Sequence, residues 1–217
     1  MQVMRVARQA RAEITRDAVL TGAAEVFLRL GYANASLNEI MAQANVTKGA
    51  LYFHFGSKEE LARAVVDLGI ERLAASRDRL ADNAPALEVC ISYSYLVADL
   101  ALRDRMVASM LALNHQIGDY RGTSNQNMLA VFIHEHTLLV KRAIEEGDVL
   151  PDLDPDSAAR LMQELTAGVH VIALGTGELE QMPARMERMW FHLLPSLVPE
   201  SKLGYFREYA ARRARRY

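Results

Sequence analysis

The sequence predicts an all-α protein: an N-terminal three-helix module of helix-turn-helix type followed by a larger helical body. Three observations carry this. Capping signals recur at short intervals, the apolar residues repeat with helical rather than alternating spacing, and Gly31, Gly147 and Gly175-Thr176-Gly177 mark helix ends. No β-structure is suggested. The boundary is placed between residues 60 and 61, dividing the helix-turn-helix module over 1–60 from the helical body over 61–217.

A first helix is expected over about Ala10 to Leu30, with Ile14, Ala18, Phe27 and Leu30 near one side and Gly31 closing it in the left-handed position. Ser36 with Glu39 forms a capping box, so a short helix starts at Leu37 and buries Leu37, Ile40 and Met41. Asn45 tolerates the left-handed conformation that ends it, and Thr47 can cap a second short helix containing Lys48, Gly49, Ala50, Leu51 and Tyr52. Two short helices a few residues apart form a helix-turn-helix. A helix this short is marginal alone, so Leu51, Phe53 and Phe55 are expected to grip its neighbours. Ser57 with Glu60 makes another capping box and starts the next helix, which runs through Leu61, Val65, Leu68 and Leu73 to about Leu80 as a lever into the body.

Farther along, Pro85 opens a helix to about Leu102, and Asp104 caps one to about Leu113. A loop is expected over His115 to Asn127, then a long helix to Glu146 that ends at Gly147. Asp154-Pro155 caps a helix to about Leu174, broken by Gly175-Thr176-Gly177, and Pro183 sits in the first turn of one reaching about Leu194.

Of the 217 residues 51% are apolar and 24% charged, ordinary for a globular chain, and no apolar run approaches the roughly 18 residues of a membrane span. The N-terminus has arginines but no apolar signal core, so a cytoplasmic protein without membrane association is expected. The lone Cys90 allows no internal disulfide and reads as buried filler. The net charge of −2 conceals segregation. Residues 1–63 carry 8 basic and 6 acidic side chains (+2), residues 64–200 carry 11 and 20 (−9), and residues 201–217 carry 6 and 1 (+5). The N-terminal end can therefore lie along a phosphate backbone while the acidic body faces away. The basic tail reads as a solvated helical end.

At the start of the second short helix, Thr47, Lys48 and Gly49 occupy the end that reaches base edges in the major groove. Tyr52, His54 and Lys58 suit phosphate oxygens, and Ser36 completes the expected DNA-binding set. The body carries polar or aromatic residues in apolar surroundings, namely Tyr93, Tyr95, Met110, Phe132, His136, Gln163, Thr166, His170 and Trp190. All but Tyr95 form the expected ligand-binding set, a mixture that suits a mostly apolar pocket for a small-molecule effector. His134 and His136 are two apart on a helix and point to different sides, so no metal site is expected. No nucleotide-binding or nucleophile motif is present, so no cofactor and no catalysis are expected; a helical protein-binding scaffold is the other class considered.

The run VTKGALYFHFGSKEEL resembles the signature of the TetR family of bacterial transcriptional repressors, over roughly residues 8 to 63. That resemblance implies an all-helical homodimer that holds a double-stranded, palindromic operator until a small molecule releases it. Thr47, Lys48 and Gly49 would then lie nearest the bases and Tyr52, His54 and Lys58 on phosphates. ARQARAEITRDAVLTGAAEVFLRLGY and MWFHLLPSLVPE are similar to the γ-butyrolactone receptor branch. In that branch a tryptophan on the long middle helix covers the ligand; the matching position here is Phe132. The family also pairs its last long helices across the dimer, which points to Leu161, Leu165, Gly168, Val169 and Ile172 on one helix and Met186, Met189, Trp190, Leu193 and Leu194 on the next.

Overall fold

A computed structural model describes residues 2–78, 80, 84–116 and 128–216, with side chains for 9–78, 80, 84–113 and 130–216. The described residues form ten α-helices: α1 (Gln2–Asn34), α2 (Leu37–Ala44), α3 (Lys48–His54), α4 (Lys58–Asp78), α5 (Ala86–Arg103), α6 (Arg105–Gln116), α7 (Met128–Glu145), α8 (Pro155–Thr176), α9 (Met182–Leu193) and α10 (Glu200–Ala214). No strand occurs among them. They fall into two compact units, Met1–Leu73 with Arg103–Tyr120, and Ala74–Leu102 with Arg121–Tyr217. The first unit therefore includes α4 as far as Leu73 and all of α6, beyond the expected boundary at residue 60.

In the first unit α1 packs on α2, α3 and α6. Val19, Leu20, Ala23 and Phe27 form its buried stripe, at helical spacing. Gly31 has φ 74° and ψ 163°, a conformation open to glycine, and it breaks α1 where the sequence placed the stop. The cap of α4 departs from expectation in one detail. Ser57 accepts from the Glu60 amide at 3.1 Å, but the Glu60 carboxylate takes the Gly56 amide at 2.8 Å instead of returning to Ser57. The Asp104 cap forms as predicted, with its carboxylate accepting the Met106 amide at 2.8 Å.

The second unit is organised around Ile91 and Tyr95 of α5, Val140 of α7, Trp190 of α9 and Phe206 of α10. The Trp190 indole donates to the Ser94 hydroxyl at 2.8 Å, and Ser94 donates to the Ile91 carbonyl at 2.7 Å, so a polar chain crosses the core with its donors satisfied. Cys90 is buried, and burial pushes its thiol up to about 12, as filler requires. The expected loop over His115 to Asn127 lies outside the described residues apart from His115 and Gln116, which extend α6. The basic tail, read as a solvated helical end, starts inside α10, which buries Phe206 and Ala210 and ends at Ala214, and it leaves Arg212, Arg215 and Arg216 exposed.

Of the two apolar faces expected at a subunit contact, one is interior. Met186, Trp190, Leu193 and Leu194 are buried in the core of the second unit. The α8 face differs: Leu161, Leu165 and Ile172 are 41%, 37% and 57% exposed.

Candidate nucleic-acid interface and effector cavity

The helix-turn-helix is assembled by caps. The Ser36 hydroxyl accepts the Glu39 amide at 3.2 Å while the Glu39 carboxylate accepts the Ser36 amide at 3.0 Å, a reciprocal box that satisfies two helix-end donors. The bonds from Ser36 also hold the Glu39 carboxyl below its usual range. Asn45 then adopts φ 53°, ψ 46°, ending α2, and the Thr47 hydroxyl accepts the Ala50 amide at 3.3 Å to start α3.

Leu51 and Phe55, four residues apart and both buried, seat α3 in the first unit. The opposite face is open. Thr47, Lys48 and Gly49 are exposed, nothing lies within 4 Å of where a Gly49 side chain would start, and Tyr52 is 46% exposed with the Lys48 ammonium 5.8 Å from its ring. His54 is half-buried between the rings of Phe53 and Phe55. Ser36 is exposed at the head of α2, with its hydroxyl engaged in the capping box.

Two sequence expectations are corrected here. Phe53 is not a plug: it is 74% exposed, because a helix advances about 100° per residue and a position two from Leu51 faces away from the core. Lys58 does not present its charge outward. Its ammonium donates to the carbonyls of Tyr32 at 2.8 Å, Ala35 at 2.9 Å and Ala33 at 3.4 Å.

In the second unit a cavity of about 360 Å³ is lined by Arg77 and Asp78 of α4, Val89 and Tyr93 of α5, and Glu135, His136, Leu138, Leu139 and Arg142 of α7. That volume suits a small organic molecule, for which pockets run from about 300 to 1,000 Å³. Two expected ligand residues, Tyr93 and His136, line it. Phe132 and Gln163 stand next to them, with the Phe132 ring 6.0 Å from the Tyr93 ring and the Gln163 side-chain nitrogen 3.0 Å from His136 Nε2.

Burial sets the protonation here. It drives His136 down to about 4, against the opposing hydrogen bond to the Phe132 carbonyl and with help from Arg77, so the imidazole is neutral. Its Nδ1 lies 3.0 Å from that carbonyl and 2.8 Å from the Gln163 side-chain nitrogen, which also stands 3.0 Å from Nε2. Burial likewise raises the Tyr93 phenol, keeping it a hydrogen-bond donor. His134, in contrast, is exposed, so the two histidines of α7 diverge.

Four expected ligand residues lie elsewhere. Met110 is wholly buried in the first unit against Gly69, and Trp190 belongs to the core described above. Thr166 and His170 are buried on α8 without lining the cavity. The cavity's charged residues went unread in the sequence. Arg77 pairs with Glu135, 58 residues away, and Arg142 donates to the Ala84 carbonyl at 2.8 Å. Leu139, three residues after His136, carried a helical-spacing signal that could have found it.

Residues 19–65 match the model of the family described as bacterial regulatory proteins, tetR family. The chain is 27% identical over 207 residues to the A-factor receptor protein of Streptomyces griseus, a match spanning 93% of this chain and 70% of that one. Among solved structures, a γ-butyrolactone receptor described as ArpA-like superposes with a TM-score of 0.82 at 28% identity, over 95% of this chain and 100% of the other. CprB of Streptomyces coelicolor, solved in complex with its biological operator sequence, gives a TM-score of 0.82 at 29% identity, over 94% of this chain and 98% of its own.

Proposed function

We propose, from the premise that this chain belongs to the TetR family of bacterial regulatory proteins, that it is a ligand-responsive transcriptional repressor. It holds a palindromic operator as a homodimer and leaves it when a small, mostly apolar molecule of the γ-butyrolactone class occupies the second unit. The observation that carries the reading is the outward end of α3, where Thr47, Lys48 and Gly49 stand exposed on a helix whose other side is anchored by Leu51 and Phe55. Lysine can donate to guanine O6 and N7, the threonine methyl fits thymine, and a bare glycine lets the backbone approach. Tyr52 and His54 reach phosphates.

Two-fold symmetry places two copies of α3 about 34 Å apart, one turn of duplex, or a multiple of it. The exposed α8 face of Leu161, Leu165 and Ile172 supplies apolar surface for that pairing. The effector reading is supported by similarity to the A-factor receptor and to the γ-butyrolactone receptor. Phe132 occupies the covering position with a ring but no indole donor, so Tyr93 and the His136–Gln163 pair provide the polar contacts. A ligand acts only through its preference between operator-competent and released states, and reversing a 99:1 balance takes about 5.5 kcal/mol of differential binding. Cytoplasmic residence follows from this role, and no described helix is long and apolar enough to cross a membrane.

The test is selection of duplexes from a randomised library on purified protein, followed by titration with a γ-butyrolactone. A two-fold-symmetric site with steeply salt-dependent affinity, released by the lactone, is expected. Failure to enrich any site overturns the repressor reading; a selected complex that every lactone leaves intact overturns the effector class.

A further inference from the structure

Lys58 places a cation where helix electrostatics disfavour one. It opens α4, and the first turn of a helix carries partial positive charge that suits Glu59 and Glu60 but not an ammonium. What holds it there is the carboxyl end of α1. Helix ends leave carbonyls without intrahelical partners, and after Gly31 those of Tyr32, Ala33 and Ala35 converge on this side chain. Three carbonyls meet an ammonium that has three protons. The Tyr32 ring adds its face, 4.5 Å from the same nitrogen. The bond from Lys58 to Ala35 spans 23 positions and encloses the whole of α2 and α3.

We propose that Lys58 is a positioning residue for the recognition helix: it ties the end of α1 to the start of α4, fixing the frame that holds α2 and α3, instead of binding phosphate. The inference rests on the DNA-reading role proposed above. It separates two roles for one lysine. A phosphate contact contributes equally to every sequence, whereas a strut contributes where α3 must sit in register with bases.

The experiment compares wild type with Lys58→Met, which keeps the stem and removes the charge, in the full-length protein. Binding is titrated against a duplex selected by wild type and a scrambled duplex of equal length, across a range of salt. The strut predicts a loss of about tenfold on the selected duplex, the size expected for a charged hydrogen-bond donor. Scrambled binding and its salt slope stay at wild-type values. Equal weakening on both duplexes, with the log–log slope shallower by about 0.9, is the phosphate signature and overturns the proposal. A role confined to fold stability would leave the ratio of the two affinities unmoved. Independently of DNA, Lys58→Met should lower Tm and accelerate amide exchange through α2; unchanged melting and exchange overturn the strut. If wild type selects no duplex, the repressor reading fails, and melting and exchange still decide whether Lys58 is the tie.

Discussion

A β-carbon on Gly69 would lie 2.4 Å from the Met110 β-carbon and 3.0 Å from the Met106 carbonyl oxygen. α4 and α6 therefore meet at bare backbone inside the first unit. Both obstacles are fixed to main chain, so no side-chain rotation makes room. Gly69→Ala should cost about 1–3 kcal/mol through overpacking, outweighing the helix-propensity gain of up to about 1 kcal/mol. Gly204→Ala is the control, since nothing lies within 4 Å of its missing side chain inside α10. It should stabilise by about 0.5–1 kcal/mol. Urea midpoints at constant m resolve the two signs, and a Gly69→Ala protein as stable as wild type contradicts the close approach.

Leu51 and Phe53 test how α3 is seated. Leu51 is fully buried, so Leu51→Ala should destabilise by about 2–5 kcal/mol through a cavity under the helix. Phe53 is 74% exposed, and Phe53→Ala should change stability by no more than about 0.5 kcal/mol. Equal losses for the two variants would show that Phe53 is a plug after all.

Much of the first unit was legible because its signals are local. Ser36 and Glu39, Asn45, and Thr47 each declare a helix end within three residues of the atoms they satisfy. Phe53 misled because three aromatics stand among five consecutive residues from Leu51 to Phe55, and their apolarity masked a spacing that seats only Leu51 and Phe55 on the core face. Lys58 could not be read locally, since its acceptors lie 23 to 26 positions back. The cavity of the second unit shows the same division. Tyr93 and His136 stood out as polar groups in apolar stretches, but Arg77 meets Glu135 only through tertiary packing.

His136 makes the second unit acid-sensitive. Its folded pKa of about 4 lies below the ordinary value of 6.5, so between those values the unfolded chain binds more protons than the folded one. Stability therefore rises with pH through this window and is fully present above about 6.5. A gap near 2.5 units corresponds to roughly 3 kcal/mol lost by pH 4. Arg77 beside the ring deepens the effect, and Glu135 pairs with that arginine. His136→Gln, which keeps a hydrogen-bonding group without a titrating ring, should flatten the stability profile between pH 4 and 6.5. A variant as acid-sensitive as wild type in that window would assign the loss to other groups.

Leu165 probes the proposed subunit contact. It is 37% exposed on α8, with Leu161 one turn before it and Ile172 two turns after, so the three line one side of the helix. Among the described residues none covers these three fully, whereas an isologous contact would bury each residue twice. Leu165→Glu then places two carboxylates in one apolar seam, where unpaired charge is strongly unfavourable, at little cost to the monomer. Sedimentation should find a folded monomer with unchanged helical circular dichroism. Its operator affinity should fall by well over tenfold, because the second half-site is no longer bound at the effective concentration a dimer provides. A Leu165→Glu protein that still sediments as a dimer would move the contact off α8, leaving the exposed stripe without this role.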